Sequence, residues 1–410
     1  MSPDLLTVKL EKLTYGGDAL GHLSDGRAVF VPFGLPGETV SLRILEEKRG
    51  HVRAELVEVL EASPERSVPV CKHYGTCGGC HYQHMAYPAQ LSAKTGILRD
   101  QLIRIGKIEN PPMEAMIPCP REFNYRNHVQ FHLTAEGRPG YVDVTGRNVL
   151  PVTECHLPEP ALNEVWPRLE FEPGLGLERV ALRLGEDDSI LLTLESEQAD
   201  MPGLELEADL SVVHLSGGDP VVMAGENHLV MPVNGRRFHI SAGSFFQVNT
   251  AMAGKMVNHL LECLPAGAGS TLLDVYCGVG LFSAFFAGRV GRLVGIEAAP
   301  SACGDFAINL DEYNNVELYE AAAEETLPVL TVQSCTAIVD PPRAGLEKRA
   351  LDALVALEPT HIAYVSCDPS TLARDAARLI AAGYHLTRVT PFDLFPQTYH
   401  IESISLFEKG

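Results

Sequence analysis

The sequence predicts an α/β protein in three parts: a Rossmann-like sheet-and-helix unit at the C-terminal end, an OB-type β-barrel at the N-terminal end, and an α+β segment between them. Three observations carry this. From about Gly243 onward, short apolar runs alternate with helical stretches, the pattern of a parallel sheet with helices on both faces. The stretch 1–62 instead alternates β-rich runs with Gly and Pro turns. Between them the composition shifts to Ser, Pro and Cys, beginning at SPERSVPVCKHYGTCGGC. At 410 residues the chain exceeds the usual size of one domain, so 1–62, 63–242 and 243–410 are expected as separate units.

Each element follows from its pattern. Val40, Leu42 and Ile44, then Val52, Ala54 and Leu56, repeat with the period of two of a half-buried strand, and five such runs make a small barrel. Leu91, Ile97, Leu98, Leu102 and Ile105 recur at helical spacing and predict a helix over Pro88–Ile105. Residues 120–240 read as mixed strand and turn. A helix over Thr250–Cys263 then leads into the strand TLLDVYC, a Gly turn, a helix and the strand RLVGIEA.

Composition removes several function classes. With 46% hydrophobic and 21% charged residues the chain is a folding one, not a disordered one. No apolar run is long enough to cross a bilayer, and the opening MSPDLLTVKLEKL lacks the features of a signal peptide, so a cytoplasmic protein without a membrane partner is expected. Ten cysteines in a reducing compartment then point to metal binding or catalysis, not to a disulfide framework. A formal charge of −21 argues against a protein that simply coats nucleic acid. The charge is uneven: net −3 over 1–62, +3 over 63–135 and −21 over the remainder, which leaves the N-terminal third as the place for RNA phosphate.

Three segments carry chemistry. In LLDVYCGVGLFS a strand ends in Asp274 and enters a turn with Gly278 and Gly280, where backbone can approach a ligand closely. The strand RLVGIEA ends in Glu297, placed to hold ribose hydroxyls. In IVDPPRAGL a strand closes at Asp340 before a loop stiffened by two prolines. In YVSCDPSTLARD, Cys367 stands after a strand and just before a helix N-terminus, a position that favours the thiolate. A thiolate adding to carbon 6 of uracil makes carbon 5 nucleophilic toward a sulfonium methyl, and a base must then take the proton from carbon 5. PQTYHIES offers Glu402 and His400 for that step.

LLDVYCGVG, DPPRAGL, VSCDPSTLARD and FPQTYHIES, in this order, resemble the signature set of the RNA uracil-5-methyltransferase family. FFQVN, Phe245 to Asn249, is similar to its donor-binding segment, and the N-terminal barrel resembles its TRAM domain. The resemblance implies S-adenosylmethionine as methyl donor, Cys367 as nucleophile and Glu402 as general base. It implies donor contacts from Gln247, Tyr276, Gly278, Glu297 and Asp340, and from Leu281 and Ala322. Leu281 stands where the family commonly has Asn, and Ala322 where an Asn or Asp often meets the adenine. Cys71, Cys77 and Cys80, spaced C-x5-C-G-G-C, can wrap one metal centre, and spacing alone does not choose between zinc and iron–sulfur. The segment resembles the iron–sulfur binding stretch of bacterial 23S rRNA members of the family, which implies a 4Fe–4S cluster with a distant fourth ligand. Cys155 fits that distance, and Cys119 is the competitor. The implied partner is RNA, 23S rRNA first, with no obligate protein partner. The T-loop uridine of tRNA is the alternative within this chemistry. A non-catalytic iron–sulfur RNA-binding protein is the alternative of another class.

Overall fold

The computed structural model describes residues 5–197, 210–218, 220–332 and 335–410. Strands β1 (Leu6–Leu13), β2 (Ala19–His22), β3 (Ala28–Val31), β4 (Thr39–Glu47) and β5 (His51–Glu61) close a barrel in the order β1-β2-β3-β5-β4. Its interior is filled by the inward members of the alternating runs, Val8, Leu10, Val29, Val31, Val40, Leu42, Val52 and Ala54. Helix α1 follows over Tyr87–Arg104, one residue earlier at each end than its apolar spacing predicts. Its buried face carries Gln90, Lys94 and Gln101 beside Ile97, Leu98 and Leu102. Those polar members are invisible to a hydrophobic pattern.

The middle segment holds a sheet of order β12-β11-β10-β9-β6-β7-β8. Its strands are β6 (His128–Leu133), β7 (Pro139–Val142), β8 (Val149–Pro151), β9 (Leu177–Leu184), β10 (Ile190–Ser196), β11 (Ser211–Leu215) and β12 (Val221–Ala224). The short helix α2 (Pro160–Val165) covers one face, where Phe131, Leu162, Trp166, Leu182 and Leu192 form a core of their own. The hairpin β13 (His228–Val233) with β14 (Arg236–Ser241) straps this segment to the next.

The C-terminal unit runs α3 (Thr250–Cys263), β15 (Thr271–Val275), α4 (Ser283–Phe286), β16 (Arg292–Glu297), α5 (Pro300–Asn309), β17 (Val316–Glu320), α6 (Ala323–Thr326), β18 (Cys335–Val339), α7 (Lys348–Ala356), β19 (His361–Ser366), α8 (Pro369–Ala381), β20 (Tyr384–Phe392) and β21 (Glu402–Lys409). The sheet order is β17-β16-β15-β18-β19-β21-β20. From β17 to β19 all pairings are parallel, as the alternating pattern predicts. The last two strands depart from it: β21 lies antiparallel to both β19 and β20. A parallel return needs a crossover, usually a helix, and the chain passes from β20 to β21 through the loop 393–401, which contains none. Asp305 and Asn309 on α5 bind the strap, accepting from Ser241 N–H at 2.8 Å and His239 N–H at 2.7 Å.

Candidate active site and cysteine cavity

A cavity of about 630 Å³ opens at the carboxyl ends of the parallel strands. Gln247, Tyr276, Gly278, Leu281, Glu297 and Asp340 line it, together with Cys367, His400 and Glu402. Ala322 is not among the lining residues; it stands just before α6, at the end of β17. Arg343 and Phe395 line the cavity as well. Both stand inside quoted motifs, Arg343 in DPPRAGL and Phe395 at the head of FPQTYHIES, but neither was singled out as a site residue.

One edge of the cavity is built by the turn after β15. Tyr276 takes a left-handed φ of 64° although it is not glycine, a conformation costing about 1–3 kcal/mol that concentrates at functional sites. Gly280, at φ 88°, is required twice over, because a Cβ there would come within 2.5 Å of Leu310 and 2.9 Å of Phe306. Glu297 closes the turn: it accepts from Gly278 N–H at 2.9 Å, and from Ala298 and Ala299 N–H at 2.8 Å each. Asp274 is fully buried and accepts from Ser283 Oγ at 2.6 Å, leaving Oδ1 without a partner among the described residues. Burial pushes its carboxyl up to about 6.

Cys367 and Glu402 come from the ends of neighbouring strands. The β19/β21 ladder closes on the pair Ser366–Ser403; Cys367 follows the first of these, Glu402 precedes the second, and both line the cavity. Burial raises the Cys367 thiol to about 12, and the carboxylates of Glu402 and Asp340 push the same way against Arg343. Burial thus works against the thiolate that the sequence position leads one to expect. The free N–H groups at the start of α8 are taken by Asp368, whose Oδ1 accepts from Ser370 at 2.8 Å and Thr371 at 3.0 Å. Burial, reinforced by Asp340, holds Glu402 well above the carboxylate range, and burial with the charges of Asp274 and Glu297 raises Asp340 to about 7. His400 is driven down to about 3, by burial first and Arg343 next, so it is a neutral imidazole at working pH.

The loop 393–401 that delivers Glu402 is held from outside the sheet. Lys94 on α1, buried completely, donates to Asp393 Oδ1 at 2.6 Å and to the Phe395 carbonyl at 2.9 Å. Gln90 donates Nε2 to Gln397 Oε1 and accepts from the Gln397 backbone N–H on its own Oε1, both at 3.0 Å. His81 and Tyr82 donate their backbone N–H groups to the Gln397 carbonyl at 2.8 and 3.0 Å.

A second, small cavity is lined by Cys71, Cys77, Cys80 and Cys155, with Arg126 and Tyr141. Cys119 lies elsewhere, buried, with its Sγ accepting from Asn249 at 3.2 Å. Burial raises the Cys80 thiol to about 12 and the Cys155 thiol to about 11. Four converging soft donors with a guanidinium beside them fit a thiolate-bound cluster, whose positive metal ions would keep the sulfurs ionised. The ligand atoms of Cys71, Glu154 and His156 also fall within 4.8 Å of one another, but Glu154 is already engaged by Lys72 and His156.

A parallel sheet whose strands β16 and β18 lead into acids, Glu297 and Asp340, that line such a cavity is the fold of an S-adenosylmethionine-dependent methyltransferase. Residues 205–410 match the family described as tRNA (Uracil-5-)-methyltransferase, and residues 4–57 match the TRAM domain. The chain belongs to that family and is an RNA methyltransferase with a TRAM barrel. A protein of Aquifex aeolicus described as an uncharacterized RNA methyltransferase is 36% identical, covering 98% of both chains. One of Thermosynechococcus vestitus with the same description is 33% identical, over 98% of this chain and 97% of its own. Among solved structures, Pyrococcus abyssi tRNA (uracil-54, C5)-methyltransferase in complex with S-adenosyl-L-homocysteine superposes with a TM-score of 0.75 at 25% identity, covering 98% of this chain and all of that one. Among the described residues no helix is long and apolar enough to cross a membrane.

Proposed function

We propose that the protein methylates carbon 5 of a uridine in 23S rRNA through a covalent adduct between Cys367 and carbon 6 of the base. The observation that carries this reading is that Cys367 and Glu402, flanking the last pair of the β19/β21 ladder, line one cavity with Glu297 and Asp340. When bound, S-adenosylmethionine supplies a methyl group activated by a sulfonium, whose positive charge also favours the ionised forms of Asp340, Cys367 and Glu402. Gln247, Tyr276, Gly278, Leu281, Glu297 and Asp340 hold that donor, Glu297 through the ribose; Ala322 is the weakest member of this set. The target base is turned out of its stack to reach the cavity. Cys367, having lost its proton, forms the sulfur–carbon 6 bond, and the ring electrons are carried to carbon 5. Carbon 5 takes the methyl group. Glu402 then removes the carbon 5 proton, the double bond re-forms, and the sulfur leaves. Arg343 opposes the carboxylates around the thiol, which favours its ionised form. Neutral His400 is the reserve base.

Cys71, Cys77, Cys80 and Cys155 are the ligands of a 4Fe–4S cluster in this reading, supported by their shared cavity. The working division is 1–62 as the RNA-facing barrel, 63–242 as the cluster-bearing segment and 243–410 as the catalytic unit, in a cytoplasmic protein. A second reading, methylation of the tRNA T-loop uridine, is favoured by the family's description and by the activity named for the Pyrococcus protein. RNA carrying 5-fluorouridine tests the chemistry, since fluorine leaves nothing for a base to abstract. A denaturation-resistant adduct should form with the unaltered protein, accumulate on unmodified RNA with Glu402→Gln, and be absent with Cys367→Ala. Adduct formation by Cys367→Ala would sink the assignment.

A further inference from the structure

The phenol of Tyr15, in the barrel, donates to Asp368 Oδ2 at 3.0 Å across 353 positions of sequence. Among the described residues no other side-chain hydrogen bond joins residues 5–61 to residues 243–410. We propose that Tyr15 is a positioning residue for methyl transfer, fixing Asp368 and through it the turn that carries Cys367. The inference rests on Cys367 being the nucleophile, as argued above.

The turn that presents Tyr15 has one shape. Thr14 N–H and Oγ1 both donate to the Asp18 carbonyl at 2.9 Å, and Gly17 N–H donates to the Thr14 carbonyl at 3.1 Å. Gly16 and Gly17 hold φ of 110° and 97°, which side-chain-bearing residues rarely adopt. The string Y-G-G-D thus builds a stiff hairpin tip that delivers the phenol to the catalytic sheet. Asp368 is equally constrained. Its Oδ1 caps α8 and its Oδ2 takes the phenol, so both oxygens are held. The turn is closed again by Ser366 Oγ, which donates to the Asp368 carbonyl at 3.0 Å and accepts from Asp368 N–H at 3.2 Å. Cys367 lies between these two residues, so any rotation of Asp368 swings its sulfur.

The same ring braces the opposite wall. Tyr15 stands edge-on to Tyr399, centroids 5.7 Å apart, and Tyr399 packs on His400 at 4.4 Å and on His81 at 4.5 Å. Burial and the Asp368 charge hold the Tyr15 phenol far above its ordinary value, so it remains a donor throughout the working range. Its hydrogen bond also engages a carboxylate that otherwise opposes ionisation of Cys367. The barrel is thereby part of the reaction centre as well as a handle for RNA.

Tyr15→Phe keeps the ring and removes the hydroxyl. Adduct formation on a 5-fluorouridine RNA should slow by about tenfold, a typical loss for one hydrogen bond to a charged group. KM for RNA and the dissociation constant for S-adenosylmethionine should stay at their original values. Asp368→Asn should also slow the adduct, and adding Tyr15→Phe to it should cost nothing more, because the phenol acts through that carboxylate. Unchanged adduct formation in Tyr15→Phe, a rise in KM for RNA alone, or losses that multiply in the double variant would each overturn the proposal. Cys367→Ala separates the two failures. If it still forms the adduct, the nucleophile assignment falls and this inference with it. If it is dead while Tyr15→Phe is normal, only the role of Tyr15 falls.

Discussion

Replacing Lys94 by Met tests how firmly the loop before Glu402 is held. The ammonium is wholly buried against an equally buried Asp393, with bonds of 2.6 Å to the carboxylate and 2.9 Å to the Phe395 carbonyl. Met fills the stem of the lysine but leaves a buried carboxylate without its counter-charge, a defect that costs about 3–5 kcal/mol. The unpaired Phe395 carbonyl belongs to the same defect and is not added to it. At about 1.4 kcal/mol per factor of ten, amide exchange over 393–401 should accelerate by at least about 100-fold. Denaturant unfolding should show the loss, and show it smaller at pH 5 than at pH 8, where the stranded carboxyl is less readily protonated. Because both partners are then apolar, Lys94→Met with Asp393→Leu should recover most of the stability, yet not the activity, since the tie to the Phe395 carbonyl stays broken. A loss below about 1 kcal/mol for the single variant, at either pH, would refute the reasoning.

Three further outcomes are expected. Protein isolated without oxygen should carry iron and sulfide, Cys155→Ser should lose them and Cys119→Ser should not; zinc in place of iron, or an intact cluster in Cys155→Ser, would reassign the site. Burial holds Asp274 at about 6, above the ~4 of an unfolded chain, so the folded state keeps a proton that unfolding releases. Stability should therefore fall by about 3 kcal/mol as pH rises from 4 through 6, and Asp274→Asn should flatten that part of the denaturation profile. Methyl transfer to 23S rRNA fragments should greatly exceed transfer to tRNA transcripts, and comparable rates would favour the tRNA reading.

The donor edge was legible because a parallel sheet exposes whatever follows each strand. Asp274, Glu297, Asp340 and Cys367 are all strand-end residues, and strand ends can be read from apolar runs. The antiparallel β21 was not, since six buried residues in a row carry no direction. That direction brings Glu402 to the cavity that Cys367 also lines. Periodicity also fails on α1, where Gln90 and Lys94 occupy core positions because their partners, Gln397 and Asp393, lie about 300 residues on. The choice between Cys155 and Cys119 needed the fold, as sequence distance does not say which thiol faces Cys71. Sequence position also does not show that the N–H groups at the start of α8 already serve Asp368, nor how far burial opposes the Cys367 thiolate.

The pairing of β19 with β21 also sets which changes of length the catalytic unit can absorb. The ladder is in register up to Ser366–Ser403, the pair that Cys367 and Glu402 flank, and a slip of one residue turns every side chain of a strand to its other face. A single deletion inside β21 should therefore disable the site as completely as substituting Glu402, with Cys367 and Glu402 both still present. The exposed tip between α8 and β20, around Gly383, is free of that constraint. Insertions there would lengthen the path from Cys367 to Glu402 without moving either.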